Sequence, residues 1–179
     1  MSLKELTWKY HKNAERQAFV EELLSGISEA RYATYLFNLH LTYDVLETLA
    51  MSVGLLDAIP ELCRASRIYQ DYQELWQAND RQPVSLKCVW NYTDYLQSIQ
   101  HDRDGLMAHI YVRHMGDLSG GQLIASRVPG KGLMYQFDRP IPELKAYIRD
   151  QLHDGMADEA KLCFKYSTRL FQEMSELSR

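Results

Sequence analysis

Proline is scarce in this 179-residue chain, which has only five, and the stretches between them carry no β-hairpin signal and no repeat. Long apolar runs are also absent, since none approaches the roughly 18 residues that a membrane-spanning helix requires. The first residues, MSLKELTWKYHK, are too highly charged for a secretory signal peptide. These absences predict a helical protein of the cytoplasm that has no membrane partner.

Cysteine and positive charge are limited as well. The three cysteines, Cys63, Cys88 and Cys163, are far apart and form no CxxC pair, so we interpret them as reduced thiols rather than a disulfide framework or a zinc site. The formal net charge of −4 argues against nucleic acid as the main partner, because nucleic-acid-binding domains usually carry a strong basic excess. The length predicts one domain over residues 1–179, with a sizeable core.

What the chain does have is helical periodicity. The predicted helices are 3–24, 28–53, 60–78, 85–100, 102–128, 141–153 and 156–177. Gly26 and Gly54 follow the first two helices, Asn79 and Asp80 follow the third, and residues 129–132 form a loop after the fifth. The expected fold class is therefore all-α, as a single-domain helical bundle.

The fifth predicted helix contains three glycines within six residues, Gly116, Gly120 and Gly121. Each costs a helix roughly 1 kcal/mol relative to alanine, so something must offset that cost. Gly116 and Gly120 are four residues apart and share one helical face. That face either packs closely or bends, or it lets a flat ligand approach the backbone. A phosphate loop is disfavoured, because the GxxxxGK[ST] pattern is missing.

Two polar residues raise a question of chemistry. Asp117 lies between the glycines, where it is either a surface or capping residue or a carboxylate that holds ordered water and transfers protons. His11 in the first helix is either an ordinary packed or surface histidine or a metal ligand. Its face carries the small residues Ala14 and Ala18, and Glu15 one turn later can bond to the second imidazole nitrogen, as the partners of metal-ligating histidines do.

Five segments of the chain carry a family resemblance. They are GDLSGGQ at residues 116–122, preceded by Tyr111 and Arg113; HKNAE at residues 11–15, followed by Phe19; and residues 43–47, 132–138 and 159–177. The first is similar to the distal-helix signature of biliverdin-forming heme oxygenases, and the second is similar to their proximal helix. The segment 132–138 resembles bacterial and cyanobacterial members. The similar segments span nearly the whole chain in family order, and the glycine motif is highly specific.

The resemblance implies that heme lies between a proximal first helix and the glycine-kinked distal helix. It makes His11 the proximal ligand of the heme iron. It makes Asp117 catalytic, as the residue that organises water at bound oxygen, with Arg113 and Tyr43 in the same network. The residues that the resemblance assigns to heme binding are His11, Lys4, Ala14, Glu15, Tyr111, Gly116, Ser119, Gly120, Lys145, Arg149 and Phe164.

Three of these residues, Lys4, Lys145 and Arg149, match basic positions that contact the heme propionates in the family. Lys145 and Arg149 are four residues apart, so both project from one helix face, and two carboxylates at a cavity mouth need such cations. Without the resemblance they would be ordinary solvated charges. In the family, basic residues at these positions occur together with cleavage of heme at the α-meso carbon. The expected products are therefore biliverdin IXα, iron and carbon monoxide.

The implied reaction consumes heme b, molecular oxygen and electrons. No segment resembles a flavin or iron–sulfur domain, so an external reductase is expected, with ferredoxin as the leading candidate and a bilin reductase as a candidate partner downstream. Two alternatives are a non-catalytic heme carrier or sensor on the same fold, which has no need of Asp117, and a thiaminase-like enzyme on a related helical fold. The latter needs a nucleophilic cysteine near a carboxylate.

Three positions depart from the family pattern, and at one of them Met115 replaces a common leucine. His114 stands where many members have tyrosine, and its side chain should point away from the face that Gly116 and Gly120 define, which favours packing. Trp8 stands where some relatives have a basic residue, so one peripheral propionate or partner contact is not carried over to this chain.

Overall fold

The computed structural model describes residues 1–76 and 82–177, and in that part of the chain it is helical without strands, as predicted. Its α-helices are α1 (Leu3–Glu15), α2 (Ala18–Ser25), α3 (Glu29–Ser52), α4 (Ala65–Leu75), α5 (Lys87–Ser98), α6 (Arg103–Leu118), α7 (Gly121–Ala125), α8 (Ile141–Asp150) and α9 (Ala157–Glu176). Short 3₁₀ turns lie at Pro60–Leu62, Leu133–Tyr135 and Asp154–Met156. None of the described helices is both long and apolar enough to cross a bilayer.

Several helix ends follow from capping residues in the sequence. The Ser2 hydroxyl accepts from the Glu5 amide while the Glu5 carboxylate accepts from the Ser2 amide at 2.7 Å, a capping box that starts α1. The Asp102 carboxylate accepts from the Gly105 amide at the start of α6. Gly26 ends α2 in the left-handed conformation that glycine adopts without strain. The predicted boundaries at these three points agree with the structure to within about two residues.

The first predicted helix, 3–24, is two helices, because Gln17 is extended (φ −67°, ψ 141°). Ala14 and Phe19 are both buried, yet in one continuous helix these residues would point about 140° apart. The break turns Phe19 and Leu23 of α2 into the core while α1 keeps Ala14 on its own buried face. The prediction of a continuous helix was therefore wrong.

The third predicted helix, 60–78, begins later than expected. The buried carboxylate of Glu47 on α3 accepts from the amides of Arg64 and Ala65 at 2.6 and 2.8 Å. These bonds fix the first turn of α4, and the preceding residues form only a 3₁₀ turn. The predicted break at residues 79–80 lies outside the described residues.

The fifth predicted helix, 102–128, is divided at Ser119, which leaves helical geometry (φ −116°, ψ −99°) between α6 and α7. The Gln122 side chain donates to the carbonyls of Asp117 and Tyr135, both at 3.1 Å. It thereby satisfies a carbonyl that the broken helix leaves open. The distal helix is kinked at its glycine segment as predicted, but the kink is a complete break rather than a bend.

A fully buried arginine fastens the segment that follows α7. The Arg64 guanidinium donates to the carbonyls of Met134 and Gln136 at 3.2 and 2.7 Å. From α4, the Asp71 carboxylate accepts from the Met134 amide at 2.8 Å. These bonds hold Tyr135, which lies between the two anchored residues, against the start of α7.

The remaining helices agree with the predictions, and their packing positions the site. The second and fourth predicted helices are α3 and α5, and the last two are α8 and α9, parted by the 3₁₀ turn around Gly155. α3 packs against α4, α5 and α6, while α9 packs against α1, α2, α5 and α6. α9 thus bridges α1 and α6, and the space between those two helices forms the candidate site.

Candidate active site

A cavity of about 800 Å³ lies between α1 and α6, and α3 and α9 contribute to its wall. This volume is within the usual range for a small-molecule site, roughly 300–1,000 Å³. The predicted site residues that line it are Lys4, His11, Ala14, Glu15, Tyr43, Tyr111, Arg113, Gly116, Asp117, Ser119, Gly120, Arg149 and Phe164. Lys145 is not among the lining residues.

His11 on α1 is half-buried and is held by aromatic and acidic neighbours. Its ring stacks on Trp8 at 5.4 Å between centroids and meets the edge of Phe164 from α9 at 5.7 Å. Nε2 of His11 lies 3.2 Å from Oε1 of Glu15, whereas Nδ1 is buried and has no hydrogen-bond partner. The expected contact between His11 and Glu15 is therefore present, and one ring nitrogen is left without a protein partner.

The three glycines of the motif serve two different purposes. A Cβ added at Gly116 or Gly120 would meet no atom within 4 Å, and both residues line the cavity. A Cβ at Gly121 would lie 2.7 Å from the Tyr135 ring and 3.1 Å from the Gly116 carbonyl oxygen. Gly116 and Gly120 therefore leave bare backbone at the wall, whereas Gly121 permits close packing. Both interpretations that the sequence left open apply, but to different glycines.

Asp117 of α6 is buried and lines the cavity. The Tyr43 hydroxyl, from α3, donates to its Oδ2 at 2.8 Å. Burial raises the pKa of Asp117 to about 6, although His114 and Tyr43 favour its charged form. A carboxyl with this pKa both holds and releases a proton near neutral pH, which is the property a general acid or base needs.

Arg113 lies one turn before Asp117 on α6, and it too is buried at the cavity wall. Its guanidinium carbon lies 4.8 Å from the centroid of the Tyr92 ring on α5, a cation–π contact. Its Nε is buried without a hydrogen-bond partner. Tyr43, Asp117 and Arg113 thus form one polar group on the α6 side of the cavity.

Two of the three basic residues assigned to propionates reach the cavity. Lys4 and Arg149 line it, and both are exposed. Only the last turn of α8 and the residues after it border the cavity, so Lys145, one turn before Arg149, lies outside the wall. Contact of Lys145 with a cavity ligand stays a prediction.

His114 is fully buried and is not part of the cavity wall. Its ring lies 5.2 Å from that of Tyr43, and its Nδ1 lies 3.2 Å from the Ile110 carbonyl oxygen. Its Nε2 is 3.8 Å from the Glu47 carboxylate. The prediction that this residue packs away from the glycine face is confirmed.

Two tyrosines of the cavity wall, Tyr35 and Tyr135, were missed by the sequence analysis. Tyr35, Leu39 and Tyr43 are spaced by four residues on α3, so their shared face was a signal that could have found Tyr35. Tyr135 belongs to a 3₁₀ turn, where no helical period could reveal it. Burial raises the pKa of both phenols, so both remain hydrogen-bond donors at neutral pH.

The positions of the three cysteines argue against a thiaminase-like site, which needs a nucleophilic cysteine in the cavity. All three are unpaired thiols, as predicted. All three lie in described parts of the chain, and none of them lines the cavity. Cys163 is fully buried behind the wall, where it has no access to a cavity ligand.

Comparison with known proteins identifies the family. Residues 1–173 match the family model described as heme oxygenase. The chain is 33% identical over 177 residues to heme oxygenase 2 of Synechocystis, an alignment covering 87% of this chain and 71% of that protein. It is 29% identical to the heme oxygenase of Guillardia theta, with 97% and 85% covered.

Solved structures agree with the sequence comparison. Heme oxygenase-1 of the cyanobacterium Synechocystis, in complex with heme, superposes with a TM-score of 0.84 at 25% identity, covering 97% of this chain and 90% of that one. Heme oxygenase from Leptospira interrogans superposes with a TM-score of 0.80 at 30% identity, covering 97% and 100%. The family model and these relatives span nearly all of the sequence, and the chain belongs to the heme oxygenase family.

Proposed function

We propose that this protein cleaves heme with molecular oxygen and electrons, forming biliverdin and releasing iron and carbon monoxide. The observation that carries the proposal is one cavity lined by His11 from α1, by Asp117 from α6 and by the bare backbone of Gly116 and Gly120. Histidine is a common heme ligand, and a buried carboxyl beside open backbone can transfer protons. Heme b is both substrate and cofactor in this proposal.

The residues of the cavity fit heme. The His11 imidazole lines the cavity, and Glu15 is placed to orient the ring. Lys4 and Arg149 at the exposed rim suit two propionates. When bound, heme supplies the iron centre at which oxygen is activated, and His11 holds that iron.

The polar residues on the α6 side of the cavity hold water and transfer protons. Tyr43 occupies Oδ2 of Asp117, so Oδ1 is the oxygen left for a water or a ligand in the cavity. Burial raises the pKa of Tyr43 well above its ordinary value, so the phenol keeps its proton and orients the carboxyl. Asp117 can then accept or release a proton at Oδ1 while its position stays fixed.

We further propose that Lys4 and Arg149 fix the rotation of heme in its plane and select the α-meso carbon, giving biliverdin IXα. Porphyrin edges are distinguished mainly by their propionates, so cations on one side of the mouth favour one orientation. The electrons come from an external donor, for which ferredoxin is our candidate. A bilin reductase is our candidate for the next enzyme.

The test is to add heme and a reducing system and to follow the absorption spectrum. The heme band should disappear while a bilin band grows, and chromatography should identify one α isomer. Asp117→Asn, which preserves the shape of the carboxyl, is the matched control and should bind heme without normal conversion. A wild-type protein that holds a stable heme band and forms no bilin would be a carrier or sensor instead of an oxygenase.

A further inference from the structure

Behind the α6 wall, on the side away from the cavity, five side chains form a continuous chain of hydrogen bonds. Tyr95 donates to Glu159 at 2.5 Å, and the other carboxylate oxygen of Glu159 lies 2.9 Å from Nε2 of His109. Nδ1 of His109 lies 2.6 Å from the Tyr92 hydroxyl, which lies 3.3 Å from Sγ of Cys163. The Glu159 side chain is 27% exposed, whereas Cys163 is fully buried. The chain therefore runs from solvent to a buried thiol.

The inner end of this chain meets a buried cation that has no carboxylate partner. Arg113 rests on the Tyr92 ring, and it takes part in none of the ion pairs among the described residues. A buried charge without a counterion is costly. Asp117 is one helical turn later, a spacing at which acidic and basic residues pair, yet Asp117 is bonded to Tyr43 instead. Another group must therefore balance Arg113.

We propose that the thiolate of Cys163 is the counterion of Arg113 and keeps the guanidinium in place on the cavity wall. Cys163 gives its proton to the Tyr92 oxygen as Tyr92 gives its own proton to Nδ1 of His109. One S–H bond and one O–H bond break, one O–H bond and one N–H bond form, and the total charge is unchanged. The imidazolium then faces Glu159, and the thiolate lies against the same Tyr92 side chain as the Arg113 guanidinium, so each of the two isolated charges gains a counterion.

The three cysteines support this assignment because they respond differently to burial. Burial raises the pKa of Cys63 and of Cys88 to about 12. Burial acts on Cys163 in the same direction, but attraction to His109 and the neighbouring guanidinium outweighs it and lowers the pKa of Cys163 to about 7. Burial lowers the pKa of His109, but Cys163 and the adjoining carboxylate raise it to about 9. Cys163 is thus the thiol that loses its proton near neutral pH.

The other helices packed against α9 add no competing charge at the thiol. The titratable groups on this side of α9 are Tyr92 and Tyr95 from α5, His109 and Arg113 from α6, and Glu159 and Tyr166 from α9 itself. On α1, Tyr10 meets Lys161 and Lys165, which project from the opposite face of α9. α2 meets α9 further along, where Phe19 stacks on Phe171. Acidification below about pH 7 therefore returns the proton to Cys163 and removes the counterion of Arg113.

Cys163 acts through Arg113 and does not touch the cavity, so it is a positioning residue, and its consequence for catalysis rests on the proposed function. With the thiolate in place, the Arg113 guanidinium already has a counterion and does not pair with Asp117. The Asp117 carboxyl therefore stays free to exchange protons. Without the thiolate, Arg113 turns to Asp117, pairs with it and lowers its pKa. The cavity then loses its proton-exchanging group near neutral pH.

The first test needs neither heme nor activity. Thiolate absorption in the ultraviolet is followed in the heme-free protein as the pH is raised, for the wild type, Cys163→Ser, Cys88→Ser and Tyr92→Phe. The wild type and Cys88→Ser should gain one thiolate near pH 7, well below the ordinary thiol pKa of about 8.5. Cys163→Ser should lack it, and Tyr92→Phe should shift it to higher pH. Absence of this thiolate in the wild type, or its persistence in Cys163→Ser, overturns the proposal.

The second test measures biliverdin formation against pH in variants whose helix content is unchanged by circular dichroism. Cys163→Ser should bind heme as the wild type does but convert it roughly tenfold to a hundredfold more slowly, as misplacement of a site residue does. Cys163→Asp, which restores a fixed anion, should recover more activity than Cys163→Ser, and Cys88→Ser should match the wild type. Equal rates in all four proteins, or better recovery with serine than with aspartate, contradict the counterion role. A wild type that shows the thiolate but forms no biliverdin contradicts the proposed function and leaves the ion pair standing.

Discussion

The two sides of the cavity are built in contrasting ways. On α1, the His11 side chain is 38% exposed and its partner Glu15 is 47% exposed, and Glu15 is shared with Lys12 at 2.8 Å. On α6, Asp117 and Arg113 are each less than a tenth exposed, and the phenol that orients Asp117 is buried as well. The proximal side is therefore held by solvated contacts worth little energy, and the distal side is held by burial.

This difference suggests a division of roles, with ligand binding on the α1 side and proton transfer on the α6 side. A ligand that enters the cavity can displace or reorient an exposed ion pair at small cost, so His11 is free to adjust to an iron. The distal groups adjust less readily, because Asp117 and Arg113 are each less than a tenth exposed, and preorganised dipoles of this kind act most strongly on developing charge. Under the proposed function, the α1 side thus accepts the ligand and the α6 side directs the reaction.

The largest effect is expected from removing His11, the proposed proximal ligand. His11→Ala should still admit heme but lose the histidine-ligated absorption spectrum. Biliverdin formation should fall by more than roughly 100-fold, because removing even an outer-shell partner of a metal ligand can cost that much. Heme titration followed by absorption spectroscopy measures the first effect, and bilin formation measures the second. His101→Ala, which removes an exposed histidine, is the control. A normal spectrum with full turnover in His11→Ala would remove this residue from the site.

On the distal side, Asp117→Ala should leave heme affinity nearly unchanged, because the carboxyl is not a ligand. Biliverdin formation should fall by roughly 10²–10⁴-fold, the usual contribution of a positioned proton-transfer group, and heme should be diverted to other oxidation products. Product chromatography decides between this result and an unchanged biliverdin yield, which would make Asp117 structural. Asp94→Ala, at an exposed position, should behave as the wild type.

Burial of the Asp117 carboxyl should also make the free energy of unfolding depend on pH. Because the pKa of Asp117 rises from 3.8 to about 6 on folding, the folded state binds its proton more tightly than the unfolded chain does. That advantage is fully present below about pH 4 and is lost as the pH rises through about 6. Relative to Asp117→Asn, the wild type should therefore lose up to about 3 kcal/mol of unfolding free energy across this window. Urea unfolding of both proteins at the two ends of the window measures it, and parallel pH profiles would show that Asp117 is not desolvated.

The smallest effect concerns the rim of the cavity, where solvent screens each contact. Arg149→Ala should give a mixture of bilin isomers with turnover largely kept, since one charge-assisted bond there is worth at most about 1.5–3 kcal/mol. Lys145→Ala should keep one isomer, because Lys145 is outside the cavity wall. Chromatography of the extracted bilins distinguishes the two variants. If Lys145→Ala alone scrambles the isomers, α8 must move when heme binds.

Local patterns explain which features were predictable from the sequence. Gly116 and Gly120 are separated by one helical turn, so their spacing placed them on one helical face, but only the structure showed that this face is bare backbone at the cavity wall. The helix breaks at Gln17 and Ser119 could not be inferred, because both depend on how distant segments pack: Phe19 must reach the core, and Tyr135 must reach α7. The bond between Tyr92 and Cys163 joins residues 71 positions apart, a distance over which no periodicity carries information.

The fastening of residues 133–136 has a consequence for motion. Arg64 and Asp71 tie this segment to the region around α4, whereas α7 contacts it through Gly121 under the Tyr135 ring and through the Gln122 side chain, which donates to the Tyr135 carbonyl. Amide hydrogen exchange at Met134, whose N–H is bonded to Asp71, therefore reports the local opening that would lift Tyr135 away from the cavity. Exchange at Met134 that is faster than exchange within α6 would identify this segment, rather than the distal helix, as the part of the wall that opens for entry and release.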